Sequence, residues 1–269
     1  DYGDEVGLGH LSRICALAMA LVDEGEKVKI DAPKSKVKTL LAPGYLSKIK
    51  FGKTVTDDFV VVDSYREKKL PEKFVVFEDY KIDWQKKAGL KIHEICLRVP
   101  YFENKNIKIE KRALVLLKPF LKEDACKKFL DSFVKEALKH VDKIDVVEAD
   151  FSYKHKAVKL HKMLSSKDLY ELMQKSRFAF SYGGQSSLEL NALGCPLLTY
   201  EEYENQHENI KILSKLSNVI ITDKNASSLV QLDNLCQNLV KLSKIRRKQN
   251  RKIMGGAKKT AKKIINYFK

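Results

Sequence analysis

No pair of cysteines in this 269-residue chain is spaced for metal or redox work. The five, at positions 15, 96, 126, 195 and 236, are odd in number and form no Cys-x-x-Cys. This argues against a disulfide framework and a zinc ribbon and fits a reducing, cytoplasmic setting. No run approaches the ~18 apolar residues that cross a bilayer, and Asp1-Tyr2-Gly3-Asp4 is unlike the start of a secretory leader. His93, His140, His155, His161 and His207 make no His-x-His or His-x-x-x-His pair, so they read as surface or structural groups and no metal is expected. Trp84 is the single tryptophan, and the other aromatics form no RNA-reading arrangement. No short-period repeat or low-complexity tract occurs.

Arginine is also scarce. It occupies eight positions and leaves 43 lysines, although the net charge is +16. Two explanations are open: an anionic partner, or a lysine-rich composition spread over solvated faces. Base and phosphate readers rely on the bidentate fork of Arg. The even scatter of Lys therefore points away from nucleic acid. The expected partner is a small molecule, with no membrane, and the chain is expected to be a monomer. Hydrophobic residues make up 44% of the chain, enough for a sizeable core.

Short β-branched runs alternate with amphipathic helical patterns. Residues 10–24 carry a helical apolar stripe closed by Gly25. Strands are predicted at 27–30, 60–62, 74–77 and 92–99. A second series gives strands at 113–117, 144–147, 178–182, 196–200 and 219–222. Its helices fall at 123–140, 167–175 with Ser166 as cap, 186–193, 205–216 and 226–242. Such alternation predicts α/β architecture with parallel sheets, in two Rossmann-like domains facing a cleft. We expect domains at 1–110 and 111–242, with a basic helix at 243–269 that crosses back to the first domain. The first strand of such a fold would precede the glycine turn at 7–9, ahead of where the sequence begins.

Four motifs could carry chemistry. Gly7-Leu8-Gly9-His10 opens the first helix, where free N–H groups favour an anion and an imidazole can act as a base. An ordinary loop with a polar His is the alternative. Tyr182-Gly183-Gly184-Gln185-Ser186-Ser187-Leu188-Glu189 lies between a strand and a helix, with donors suited to phosphate oxygens and a carboxylate suited to ribose hydroxyls. Its alternative is a capping box pairing Ser186 with Glu189. Glu204-Asn205-Gln206-His207 offers uncharged donors and acceptors for a sugar, or a plain Asn cap. Asp63-Ser64-Tyr65 and Glu78-Asp79 both follow strands, on the side where such sheets bind ligands.

Together these motifs resemble the UDP-2,4-diacetamido-2,4,6-trideoxy-β-L-altropyranose hydrolases of pseudaminic acid biosynthesis. That family is similar to the GT-B glycosyltransferases, including the UDP-GlcNAc transferase of peptidoglycan synthesis. The resemblance implies a GT-B-like fold and a cytoplasmic hydrolase in the route to flagellin glycosylation. It implies water attack on the anomeric carbon with inversion, releasing UDP and free sugar with no metal or cofactor. His10 would be catalytic, with Asn205 orienting sugar or water. Gly9, Arg13, Asp63, Tyr65, Met163, Leu164, Gly184, Gln185, Ser186, Ser187, Leu188, Glu189 and Gln206 would bind substrate, with Met163 and Leu164 bordering the uracil. Lys118-Pro119-Phe120-Leu121 stands where the family carries a GG-S-D-type loop. The alternative activities are transfer of sugar from a UDP donor to an acceptor, with Leu40-Leu41-Ala42-Pro43 as an apolar patch for a lipid, and binding of UDP-sugar without turnover.

Overall fold

The computed structural model describes residues 9–53, 59–63, 70–77, 83–102, 107–117, 122–162, 164–203, 206–222, 237–239, 241 and 251–269. The chain divides into two compact units. Unit 1 is Asp1–Tyr101 with Arg251–Lys269, and unit 2 is Phe102–Asn250.

In unit 2, β6 (Arg112–Leu116), β7 (Lys143–Val147), β8 (Val158–His161), β9 (Phe178–Tyr182), β10 (Leu197–Tyr200) and β11 (Val219–Ile221) form one parallel sheet. Their order across it is β8-β7-β6-β9-β10-β11. Counted from β6, that is 3-2-1-4-5-6, the doubly wound order of a Rossmann-like domain. Alternate residues of the strands point to opposite faces. Ala113, Val115, Ile144, Val146, Phe178 and Phe180 thus form one buried face with Leu130 and Phe133 of α4 (Glu123–Ala137). Helices α5 (Ser166–Lys175), α6 (Gln185–Ala192) and α7 (His207–Leu213) complete the described elements of this unit.

In unit 1, β1 (Val28–Ile30) pairs in parallel with β2 (Ile49–Phe51), while β3 (Val60–Val62), β4 (Phe74–Phe77) and β5 (Leu90–Ile92) form a separate parallel sheet. Helix α1 (Gly9–Asp23) lays Ala16, Leu17 and Ala20 over Val75 and Phe77 and against α9 (Gly256–Phe268), through Ala257, Ala261 and Ile264. The short side chains let the two helices approach closely. At the start of α9, a Cβ on Gly256 would run into the Ile95 carbonyl. Glu94 takes the Lys263 ammonium, with Lys259 at 3.9 Å. Short helices α2 (Lys34–Val37), α3 (Val99–Phe102) and α8 (Arg251–Met254), with a 3-10 helix at Asp83–Lys87, complete the described elements.

Several elements differ from expectation. The strand predicted at 92–99 ends at Ile92, because Pro100 belongs to the first turn of α3, where its missing N–H costs nothing. The cap of α5 is Ser165 rather than Ser166: its Oγ accepts from Asp168 N at 3.2 Å. Leu40, Leu41 and Ala42 are buried, so they provide no surface patch. Strands β2 and β8 escaped prediction because alternating Lys breaks their apolar runs. Most of the helix predicted at 226–242 lies outside the described residues.

Helices α1 and α6 end alike. Gly25 N donates to Val22 O and Glu26 N to Leu21 O; Gly194 N donates to Asn191 O and Cys195 N to Leu190 O. Both glycines have positive φ, 92° and 71°, so each terminates its helix in a left-handed turn that satisfies the last carbonyls. Replacing Gly194 with Ala should lower the unfolding free energy by about 1–2 kcal/mol. Urea unfolding at neutral pH measures this, and an unchanged midpoint would refute the assignment.

Candidate active site

His10 and Arg13 are three residues apart in the first turns of α1, so they share a face. Asp63 follows β3 directly, at the carboxyl end of its strand. The fold brings the three together. His10 Nδ1 bonds to Asp63 Oδ1, and Arg13 grips both carboxylate oxygens, Nε to Oδ2 at 2.8 Å and Nη2 to Oδ1 at 2.6 Å. The guanidinium also lies over the Phe77 ring, 4.8 Å from its centre. The Asp63 side chain is 1% exposed and that of His10 is 7% exposed.

Burial alone would push the Asp63 carboxyl up. The Arg13 charge and the hydrogen bonds from His10 and Arg13 outweigh it and hold the group below its ordinary value. An ionised carboxylate only accepts, so the proton in the His10–Asp63 bond sits on Nδ1. Nδ1 then cannot also accept from Arg13 Nη2, and their 3.2 Å separation is proximity within the cluster. The tautomer leaves a lone pair on Nε2, the nitrogen that can take a proton. Gly9 is exposed, and a Cβ added there would meet nothing within 4 Å.

In unit 2 the turn between β9 and α6 is tied from several sides. Gly183 N donates to Tyr200 O at 3.0 Å, and Asn209 Nδ2 donates to Gly183 O at 3.1 Å. The Ser187 hydroxyl donates to Tyr182 O. Ile210 packs over Gly183 so closely that a Cβ there would lie 2.6 Å from its Cδ1. Gly184 caps α6, no side chain closes the cap, and no acidic residue lies in the first turn. Ser186 is already inside the helix, so the capping-box alternative does not form. An N-terminus of this kind presents backbone N–H groups and partial positive charge, a setting for an anion.

The expected site residues therefore separate. Gly184, Gln185 and Ser186 keep accessible surface at the start of α6. Ser187 and Leu188 are buried, the first serving the turn and the second the core. Glu189 is fully buried. The Gln206 carbonyl oxygen accepts from Glu202 N at 2.9 Å, which spends it on the loop. Arg13 Nε and Nη2 and both carboxylate oxygens of Asp63 are engaged within the cluster with His10. Leu164 is half-buried. Tyr65, Glu78, Asp79, Lys118, Met163 and Asn205 lie outside the described residues. Among the described residues, no three of His, Cys, Asp and Glu gather as metal ligands.

No protein-family model matches the chain, and no curated protein does. Solved structures do. S. aureus MnaA, solved with UDP, is similar with a TM-score of 0.59 at 10% identity, over 97% of this chain and 94% of that one. A Listeria monocytogenes protein assigned as a UDP-N-acetylglucosamine 2-epimerase gives 0.57 at 11%, over 96% and 93%. The lipopolysaccharide glycosyltransferase WaaG gives 0.55 at 12%, over 95% and 96%. The chain spans about half, 55%, of the kitacinnamycin glycotransferase. These likenesses show the fold, α/β and GT-B-like, built from two Rossmann-like units.

The ionisation of Asp63 sets a pH dependence. Its folded-state pKa lies below the unfolded value near 3.8. It therefore contributes stability that is present above that value and lost as pH falls through the folded-state one. Asp63→Asn should be less stable than the parent at pH 7, and the gap should narrow as pH drops below about 4. Denaturant unfolding across pH 2–7 measures it; a constant gap would contradict the assignment.

Proposed function

We propose that the chain is a nucleotide-sugar hydrolase that cleaves the anomeric C–O bond of a UDP-linked 2,4-diacetamido-2,4,6-trideoxy hexose. The observation that carries this reading is the His10–Asp63–Arg13 arrangement, a base whose tautomer is set by a buried carboxylate. The uncapped start of α6 supports a diphosphate site. The fold relatives that carry UDP or a UDP-sugar in their descriptions support a uridine nucleotide. The motifs at 7–10 and 182–189 support the hydrolase over other members of the fold.

The chemistry follows from the groups. A water oxygen attacks the anomeric carbon while its proton passes to His10 Nε2. The bond from that carbon to the β-phosphate oxygen breaks, and its electron pair leaves with UDP. UDP is a good leaving group, so the main requirements are an oriented water, a base, and donors facing the growing negative charge. His10 supplies the base, Asp63 holds its tautomer and direction, and the backbone at Gln185 and Ser186 faces the diphosphate. Arg13 keeps Asp63 ionised.

The test is a mass-spectrometric assay with UDP-diacetamido-trideoxy sugars and no acceptor. The parent protein should release UDP and free sugar. His10→Ala should lower kcat by about 10²–10⁴-fold, the usual share of a general base, with UDP affinity little changed. Asp63→Asn should lower kcat through His10 in the same way, with a smaller effect on KM. Full turnover by His10→Ala would remove the imidazole from the mechanism. Turnover only with an added acceptor would make the protein a transferase.

A further inference from the structure

Unit 2 contains a second His–Asp–Arg arrangement, on residues given no chemical role above. Asp145 stands in the middle of β7, on the face opposite Ile144 and Val146 of the main core. It is 1% exposed. Its neighbours in register are Leu114 and Lys159, so Arg112 on β6 and His161 on β8 reach it diagonally from either side. Arg112 Nη1 donates to Oδ2, and His161 Nε2 bonds to Oδ1 at 2.7 Å. Glu110 holds the rest of the guanidinium, accepting from Nε at 3.0 Å and Nη2 at 2.8 Å.

Such a network is an expensive way to fill a sheet face. Apolar residues of similar size usually serve stability as well or better, so its position matters. His161 is the last residue of β8, at the carboxyl edge of the parallel sheet, where folds of this order bind ligands. Its side chain keeps 12% exposure. The uncapped start of α6 follows β9, three strands away across β6 and β7. At ~4.8 Å per strand the offset is about 14 Å, the scale of an extended nucleoside diphosphate.

The chemistry at His161 is set by its partner. Asp145 accepts from Arg112 Nη1 at Oδ2 and meets His161 Nε2 at Oδ1. In a neutral ring with its proton on Nε2, Nδ1 carries a lone pair. A lone pair on a residue at that edge would meet N3–H of uracil favourably. It would meet the N3 lone pair of cytosine unfavourably.

We propose that His161 reads the base of the bound nucleotide, accepting from uracil N3–H, and that Asp145 is the positioning residue that makes it an acceptor. The inference rests on the reading that unit 2 holds a uridine nucleotide. It adds the device that selects uracil.

Calorimetric titration of the full chain with UDP and with CDP tests it. The parent should bind UDP about tenfold or more tighter than CDP, the worth of one well-placed hydrogen bond. His161→Phe should lose about tenfold for UDP, hold CDP, and bring the ratio close to one. Asp145→Asn is nearly isosteric and can donate to Nε2, which moves the ring proton to Nδ1; it should shift the preference toward CDP. A merely structural role would weaken both nucleotides together. Equal parental affinities, or a parental ratio kept in both variants, would overturn the inference while UDP binding itself upheld the underlying reading. Absence of UDP binding by the parent would instead defeat that reading.

Discussion

The account depends on one buried carboxylate. Asp63 would be costly to ionise in its surroundings without compensation, and Arg13 supplies that compensation through two hydrogen bonds and a full charge. Three consequences follow from the same contact. The end of β3 is fastened to the first turns of α1. Arg13 lies over Phe77 on β4, which joins the polar cluster to the apolar core beneath α1. His10 is restricted to one tautomer. Fold and chemistry are therefore coupled here, because removing the charge at Asp63 loosens the helix start and frees the imidazole at once.

The two units contribute different physics. Unit 1 offers a side-chain base held by an ion pair. Unit 2 offers backbone, a helix start without a cap behind a turn braced by Ser187, Asn209 and Ile210. The bracing holds that turn without charged side chains, so in the proposed reaction its backbone donors would need little reorganisation as charge develops. The Gln206 clamp on Glu202 steadies the neighbouring loop in the same way. Several residues with the character of ligand contacts are thus spent on holding the ligand-facing backbone in place.

Much of this was legible in the amino-acid order. The doubly wound sheet of unit 2 follows from apolar runs alternating with amphipathic helices, and the glycines at 25 and 194 mark where helices stop. The glycine turns at 9 and 183–184 mark helix starts that could face a ligand. Partners were not legible. Asp63 lies 50 residues from Arg13 and 53 from His10, and nothing local says that one carboxylate meets both side chains. Arg13 and Asp63 therefore read as separate substrate contacts, and their pairing with each other is visible only in the fold. Asp145 left a signal of its own, a single charge inside Ile144–Val147, which a buried strand tolerates only with a partner. The identity of that partner, His161 on the next strand, needed the register. Glu189 shows the reverse limit: its spacing suits a ribose, and its complete burial is visible only in the fold.

In the proposed hydrolysis, water directed by His10 attacks carbon rather than phosphorus. Turnover of the UDP-sugar in ¹⁸O-labelled water, followed by mass spectrometry of both products immediately on release, tests it most directly. The account predicts the heavy oxygen in the free sugar at its anomeric position and none in UDP. Label in the nucleotide, or conversion to an isomeric UDP-sugar with no label in either part, would contradict it.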